Sequence, residues 1–108
     1  MEIKEYQIKS IRTINNKLTT EQLISNMVFG ANGELGEVTD ILKKHLYQGH
    51  ELDRKHLKEE LGDIMFYLVN LASIYEIDFL EVLQINIDKL VKRYPDGFDK
   101  YKSINRVE

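Results

Sequence analysis

The chain has 108 residues, 43% hydrophobic and 31% charged, with a net charge of −3 and no cysteine. This length and composition suit one globular domain and exclude disorder, disulfides, thiolate nucleophiles and cysteine-ligated zinc. No basic stripe with interleaved aromatics points to nucleic acid, and no apolar run is long enough to span a bilayer.

The N-terminus, MEIKEYQIKS, is charged and lacks an apolar h-region, so no signal peptide is expected and a cytoplasmic location follows. A first helix is expected over about residues 2–15, with Ile3, Ile8, Ile11 and Ile14 as a partial stripe. NKLTTEQ interrupts it, and Thr19 or Thr20 can cap the next helix. That second helix runs to about Tyr47 on Ile24, Val28, Ala31, Leu35, Val38 and Leu42, and Gly49 ends it.

Asp53 is the expected N-cap of a third helix, striped by Leu57, Leu61, Ile64, Leu68, Leu71 and Tyr75. Asp78, with Glu81 three residues on, forms an acidic version of the capping box. The fourth helix carries Leu80, Leu83, Ile87, Leu90 and Tyr94 and stops at Pro95, which cannot continue it. Residues 99–108 are weakly patterned and are expected to form a loosely ordered tail. The expected fold is a single all-α domain over 1–108, a four-to-five-helix bundle with its core at about 20–98. At this size, a partner subunit would help to bury the stripes.

The stretch GANGELGEVTD, residues 30–40, carries three glycines inside a helix, each costing roughly 1 kcal/mol against alanine. Gly30, Gly33 and Gly36 make a strip without side chains. It permits either close helix packing or the approach of a flat ligand. Beside it stand Glu34 and Glu37, and the third helix offers Glu60 and Asp63. Three-residue spacing puts each pair on one side of its helix.

Glu34 falls in line with Met27, Ala31, Val38 and Ile41, and Glu60 with Ile64, Tyr67 and Leu71, so both border apolar stripes. In an antiparallel hairpin, Glu34 with Asp63 and Glu37 with Glu60 lie nearly level, both cross-pairs being centred between Gln48 and Gly49. One E-x-x-E in a charged helix reads as a solvated face. Two pairs at matched depth are different, because four converging charges repel and their desolvation costs several kcal/mol per ion. Protonation or basic neighbours would relieve this, and a hard divalent cation relieves it best. Oxygen-only ligands suit Mg²⁺ or Mn²⁺.

The order E-x-x-E, spacer, E-x-x-D, here ELGE at 34–37 and ELGD at 60–63, resembles the MazG-like all-α nucleoside triphosphate pyrophosphohydrolases. NIDKLVKRYPDGF, residues 86–98, is similar to the last helix of that family, and the resemblance covers about residues 20–98. It implies Mg²⁺-dependent hydrolysis of a nucleoside triphosphate between its α and β phosphates, giving the monophosphate and pyrophosphate. It implies Glu34, Glu37, Glu60 and Asp63 as metal ligands, and a homodimer or homotetramer.

The chemistry is coherent, since an acidic site binds a polyanion only through bridging cations, which also lower the pKa of a bound water. Glu37 is the candidate general base, with Glu59 next to the ligands as the alternative. Asn86, Lys89 and Arg93 share one line of the fourth helix and are candidate substrate-binding residues, the two cations for the β and γ phosphates. Lys44, with Lys43, is a further phosphate candidate, although both also read as surface charges. The family often has an apolar residue where Asn32 stands; Asn32 can read a base edge or face water.

Three rivals remain. A di-iron carboxylate bundle wants Glu-x-x-His pairs, and none of His45, His50 or His56 follows a glutamate by three. His50 and His56 cluster near the hairpin turn, where exposure is expected. A non-catalytic helical dimeric interaction protein explains the stripes but not the matched acids. A phosphoribosyl-ATP pyrophosphohydrolase would share the chemistry and differ in substrate.

Overall fold

The computed structural model describes residues 1–107 and contains α1 (Ile3–Ile11), α2 (Thr20–Tyr47), α3 (Arg54–Ile74), α4 (Phe79–Arg93) and α5 (Lys100–Ile104). The described residues form no strand, so the fold is all-α as the periodicity predicts.

The N-termini of α2, α3 and α4 are capped at the positions expected. Thr19 accepts from the Gln22 backbone while the Gln22 side chain accepts from Thr19, a reciprocal box that satisfies two orphan donors. Asp53 caps α3 through the His56 N–H. Asp78 caps α4 through the Leu80 N–H at 3.0 Å, one residue earlier than a capping box requires.

Helix α1 stops at Ile11 rather than near residue 15. Thr13 hydrogen-bonds the Ser10 carbonyl through both its amide and its hydroxyl, and Asn15 accepts from the Lys17 N–H. Such short polar side chains offer the backbone an alternative to the helical ladder. Within the tail, Asp99 caps the single turn of α5, which weak patterning had not marked.

The dominant packing is the antiparallel α2–α3 hairpin. At its turn Gly49 adopts φ 74°, a left-handed conformation that glycine enters without penalty, and the His50 N–H returns to the Lys44 carbonyl. Helix α1 and the start of α4 close over the far end of α3. There Val69, Ala72 and Phe79 are buried, with Ile3, Tyr6 and Leu83 packed against them. Burying Phe79 contributes roughly 1.5–3 kcal/mol.

Polar side chains tie this end together. The Gln7 amide donates to Ser73 Oγ and the Ile77 carbonyl, both at 2.8 Å, and accepts from the Phe79 N–H. Fully buried Asn70 donates to Ser10 Oγ and the Phe66 carbonyl. Past Leu83, α4 runs on exposed to about Lys92.

The three glycines divide by role. A Cβ on Gly30 would run into the Tyr67 ring, whereas one on Gly33 or Gly36 would meet nothing within 4 Å. Gly30 therefore serves close packing of α2 on α3. Thermal unfolding should separate them. Gly33→Ala should gain up to about 1 kcal/mol of helix propensity, while Gly30→Val should lose about 1–3 kcal/mol by overpacking. Equal effects at the two sites would contradict this division.

Candidate metal centre

The same register that seats Tyr67 on Gly30 brings Glu34 level with Asp63, four residues nearer the turn on each helix. One carboxylate oxygen from each of Glu34, Glu60 and Asp63 lies within 4.8 Å of the others. Helical geometry explains why Glu34 enters and Glu37 does not. At about 100° per residue, Glu34 sits roughly 15° from the centre of the arc marked by buried Met27, Val38 and Ile41, and Glu37 roughly 70° from it. Glu37 is exposed and stands outside the close group, near enough to Lys44 to favour that cation.

Glu60 is the most enclosed of the three, its side chain 12% exposed. Its Oε1 meets His56 Nε2 at 3.2 Å, while Oε2 is buried and, with Glu34 ionised, has no hydrogen-bond donor. An ionised oxygen left in that state is costly. Glu34 registers the cost, its pKa standing above the ordinary glutamate value. The leading cause is the hydrogen bond its protonated form makes to Glu60, followed by desolvation and by repulsion from the Glu60 charge. Tyr6 reaches the same region from α1: burial, and secondarily the Asp63 charge, push its hydroxyl pKa up. A shared proton relieves the Glu34–Glu60 contact only while Glu34 is protonated. A cation relieves it with both groups ionised, and three carboxylate oxygens converging from two helices fit a hard divalent ion.

The remaining candidates lie elsewhere. Glu59 is exposed beside Glu60. Lys44 is paired to Asp40 at 2.8 Å, and that hydrogen bond raises its pKa; Lys43 also lies near Asp40, at 3.5 Å. The exposed Asn32 donates its amide to the Val28 carbonyl, one turn back on its own helix. Asn86 and Lys89 lie on the exposed length of α4, and Arg93 is half-buried at its end. Contrary to the expected exposure at the turn, His56 is half-buried and joined to Glu60, whereas His45 and His50 are exposed. The missed signal was the spacing of four residues between His56 and Glu60.

Among the described residues, no helix is long and apolar enough to cross a membrane. The model of the MazG nucleotide pyrophosphohydrolase domain matches residues 19–98, which include both acidic pairs and all of α4. The chain is also 32% identical over 87 residues to the Gene 37 protein of Mycobacterium phage L5, covering 77% of this chain and 76% of the phage protein. No solved structure matches it. With the matched segment holding the paired acids of α2 and α3 at the spacing and order described, the chain belongs to the MazG nucleotide pyrophosphohydrolase family.

Proposed function

We propose that the chain hydrolyses a nucleoside triphosphate between its α and β phosphates in a Mg²⁺-dependent reaction, releasing the monophosphate and pyrophosphate. Family membership supports the reaction class. The observation that carries the metal is the buried Oε2 of Glu60, without a donor and beside two further carboxylates.

In this reading Glu34, Glu60 and Asp63 hold Mg²⁺, or Mn²⁺ in its place, and Glu37 on the rim completes the ligand set. Bound there, the ion would neutralise phosphate oxygens and make an attacking water more acidic. Glu37, exposed one turn from Glu34, is assigned as the base that takes that water's proton, with Glu59 as the alternative. Lys89 and Arg93 are assigned to the β and γ phosphates and Asn86 to the sugar or a phosphate. Asn32 is assigned to the base, and Lys44 to an outer phosphate once released from Asp40. A housekeeping role on the cytoplasmic nucleotide pool is part of this reading.

A second copy of the chain is part of this reading. A 12.7 kDa monomer should expose roughly 6,200 Å² and have a radius of gyration of about 13 Å. The chain exposes 8459 Å² with a radius of 17.2 Å. The surplus, roughly 2,200 Å² per chain, would give a pair an interface of the obligate class, roughly 2,000–5,000 Å². The α4 stripe is covered at Phe79 and Leu83 but left open at Ile87 and Leu90, 54% and 43% exposed. Asn86 and Lys89 stand on this open length.

Pyrophosphate release from canonical and modified triphosphates, phosphoribosyl-ATP included, is the test. Turnover with Mg²⁺ should appear for at least one of them. Glu60→Gln and Asp63→Asn should each lower it by more than the roughly 10–100-fold typical of outer-shell partners, with helicity retained. Absence of release from every triphosphate would favour a non-catalytic helical interaction protein.

A further inference from the structure

His56 stands one turn before Glu60 on α3, and its Nε2 lies 3.2 Å from Glu60 Oε1. The backbone at this point is pinned, because the His56 N–H donates to the capping carboxylate of Asp53 at 3.1 Å. The second Asp53 oxygen lies 4.0 Å from the ring Nδ1, so the imidazole sits between a cap and a buried carboxylate. An ionised glutamate has no proton to offer, so Nε2 carries the hydrogen and donates it.

This bond divides the two oxygens of Glu60. Oε1 is engaged by the ring, and Oε2 is left buried without a donor. An unrestrained glutamate would rotate about its terminal torsion, present both oxygens, or swing out toward solvent. Held by His56, it presents one oxygen in a fixed direction.

We propose that His56 is the positioning residue for Glu60, selecting Oε2 as the single oxygen offered to a divalent cation; this rests on the metal-binding reading above. His56 neither ligates the ion nor touches substrate. Its ring lines a recess of about 210 Å³ at the hairpin turn, with Asp40, Lys44, His50 and Asp53 around it. The ring is itself 43% exposed. Truncating it therefore removes the hydrogen bond while opening little buried space, which separates positioning from packing.

Mn²⁺ alone, titrated into the full chain and followed by the paramagnetic resonance of the free ion, tests this without substrate. His56→Ala should weaken Mn²⁺ binding by about 10-fold or more. His56→Gln, whose amide can still donate to Glu60, should recover most of that loss. Both variants should keep the wild-type circular dichroism. Wild-type Mn²⁺ affinity in His56→Ala would overturn the positioning role and leave the metal site standing. Equal weakening in the Ala and Gln variants would overturn the hydrogen bond as its cause. A wild-type chain that binds no Mn²⁺ would overturn the metal reading and this inference together.

Discussion

Mg²⁺ at about 100 times its dissociation constant should stabilise the chain by about 2.7 kcal/mol, a rise in melting temperature on the order of 10 °C. Chelation should reverse it. The expectation follows from a folded state that presents three carboxylates to one point, an arrangement the unfolded chain does not hold. Glu34→Gln should act in opposite directions on the two forms. It removes one of the mutually repelling charges, so the metal-free melting temperature should rise, while the Mg²⁺-induced increase should largely vanish.

The pH dependence carries the same sign. Because the Glu34 pKa is raised on folding, the folded chain binds that proton more tightly than the unfolded chain does. Its ionisation therefore costs stability in full above the raised pKa. That cost disappears as pH falls through the raised pKa toward the ordinary 4.5. The Glu34 contribution to metal-free stability should thus grow as pH falls through the raised pKa and be absent from Glu34→Gln. A wild-type melt indifferent to Mg²⁺ would remove the ion from this site.

The second large effect is expected on assembly. Ile87→Lys combined with Leu90→Lys should convert a dimer or tetramer into a species of 12.7 kDa by light scattering. Both side chains continue the stripe that Phe79 and Leu83 begin, and both are exposed in the single chain, as is neighbouring Val91 at 60%. Two lysines there would place unpaired charges in an apolar contact, which a subunit interface does not tolerate. Far-UV circular dichroism should fall by no more than the share of α4, because the α2–α3 hairpin has its own contacts. A wild-type chain already at 12.7 kDa would refute the assembly, and would leave the excess surface for another partner.

Much of this protein was legible in its residues because the signals are local. Caps at Thr19, Asp53 and Asp78, the stop at Gly49 and the break at Pro95 depend on neighbours within a few positions, and each marks a helix end. The antiparallel register was equally accessible, since a short turn constrains which residues lie level, and Glu34 does meet Asp63. Tertiary structure decided what depends on rotation about a helix axis and on distant segments. Spacing set Glu34 against the apolar stripe but still offered Glu37 as an equal ligand; the angle of the buried arc left Glu37 on the rim. Gly30 could be assigned to packing only once Tyr67 was seen against it. The bonds from Gln7 to Ser73 and from Asn70 to Ser10 join residues 66 and 60 positions apart, beyond any local pattern. His56 looked like a turn residue in the sequence; only the enclosure of Glu60 gave its ring a partner and a task.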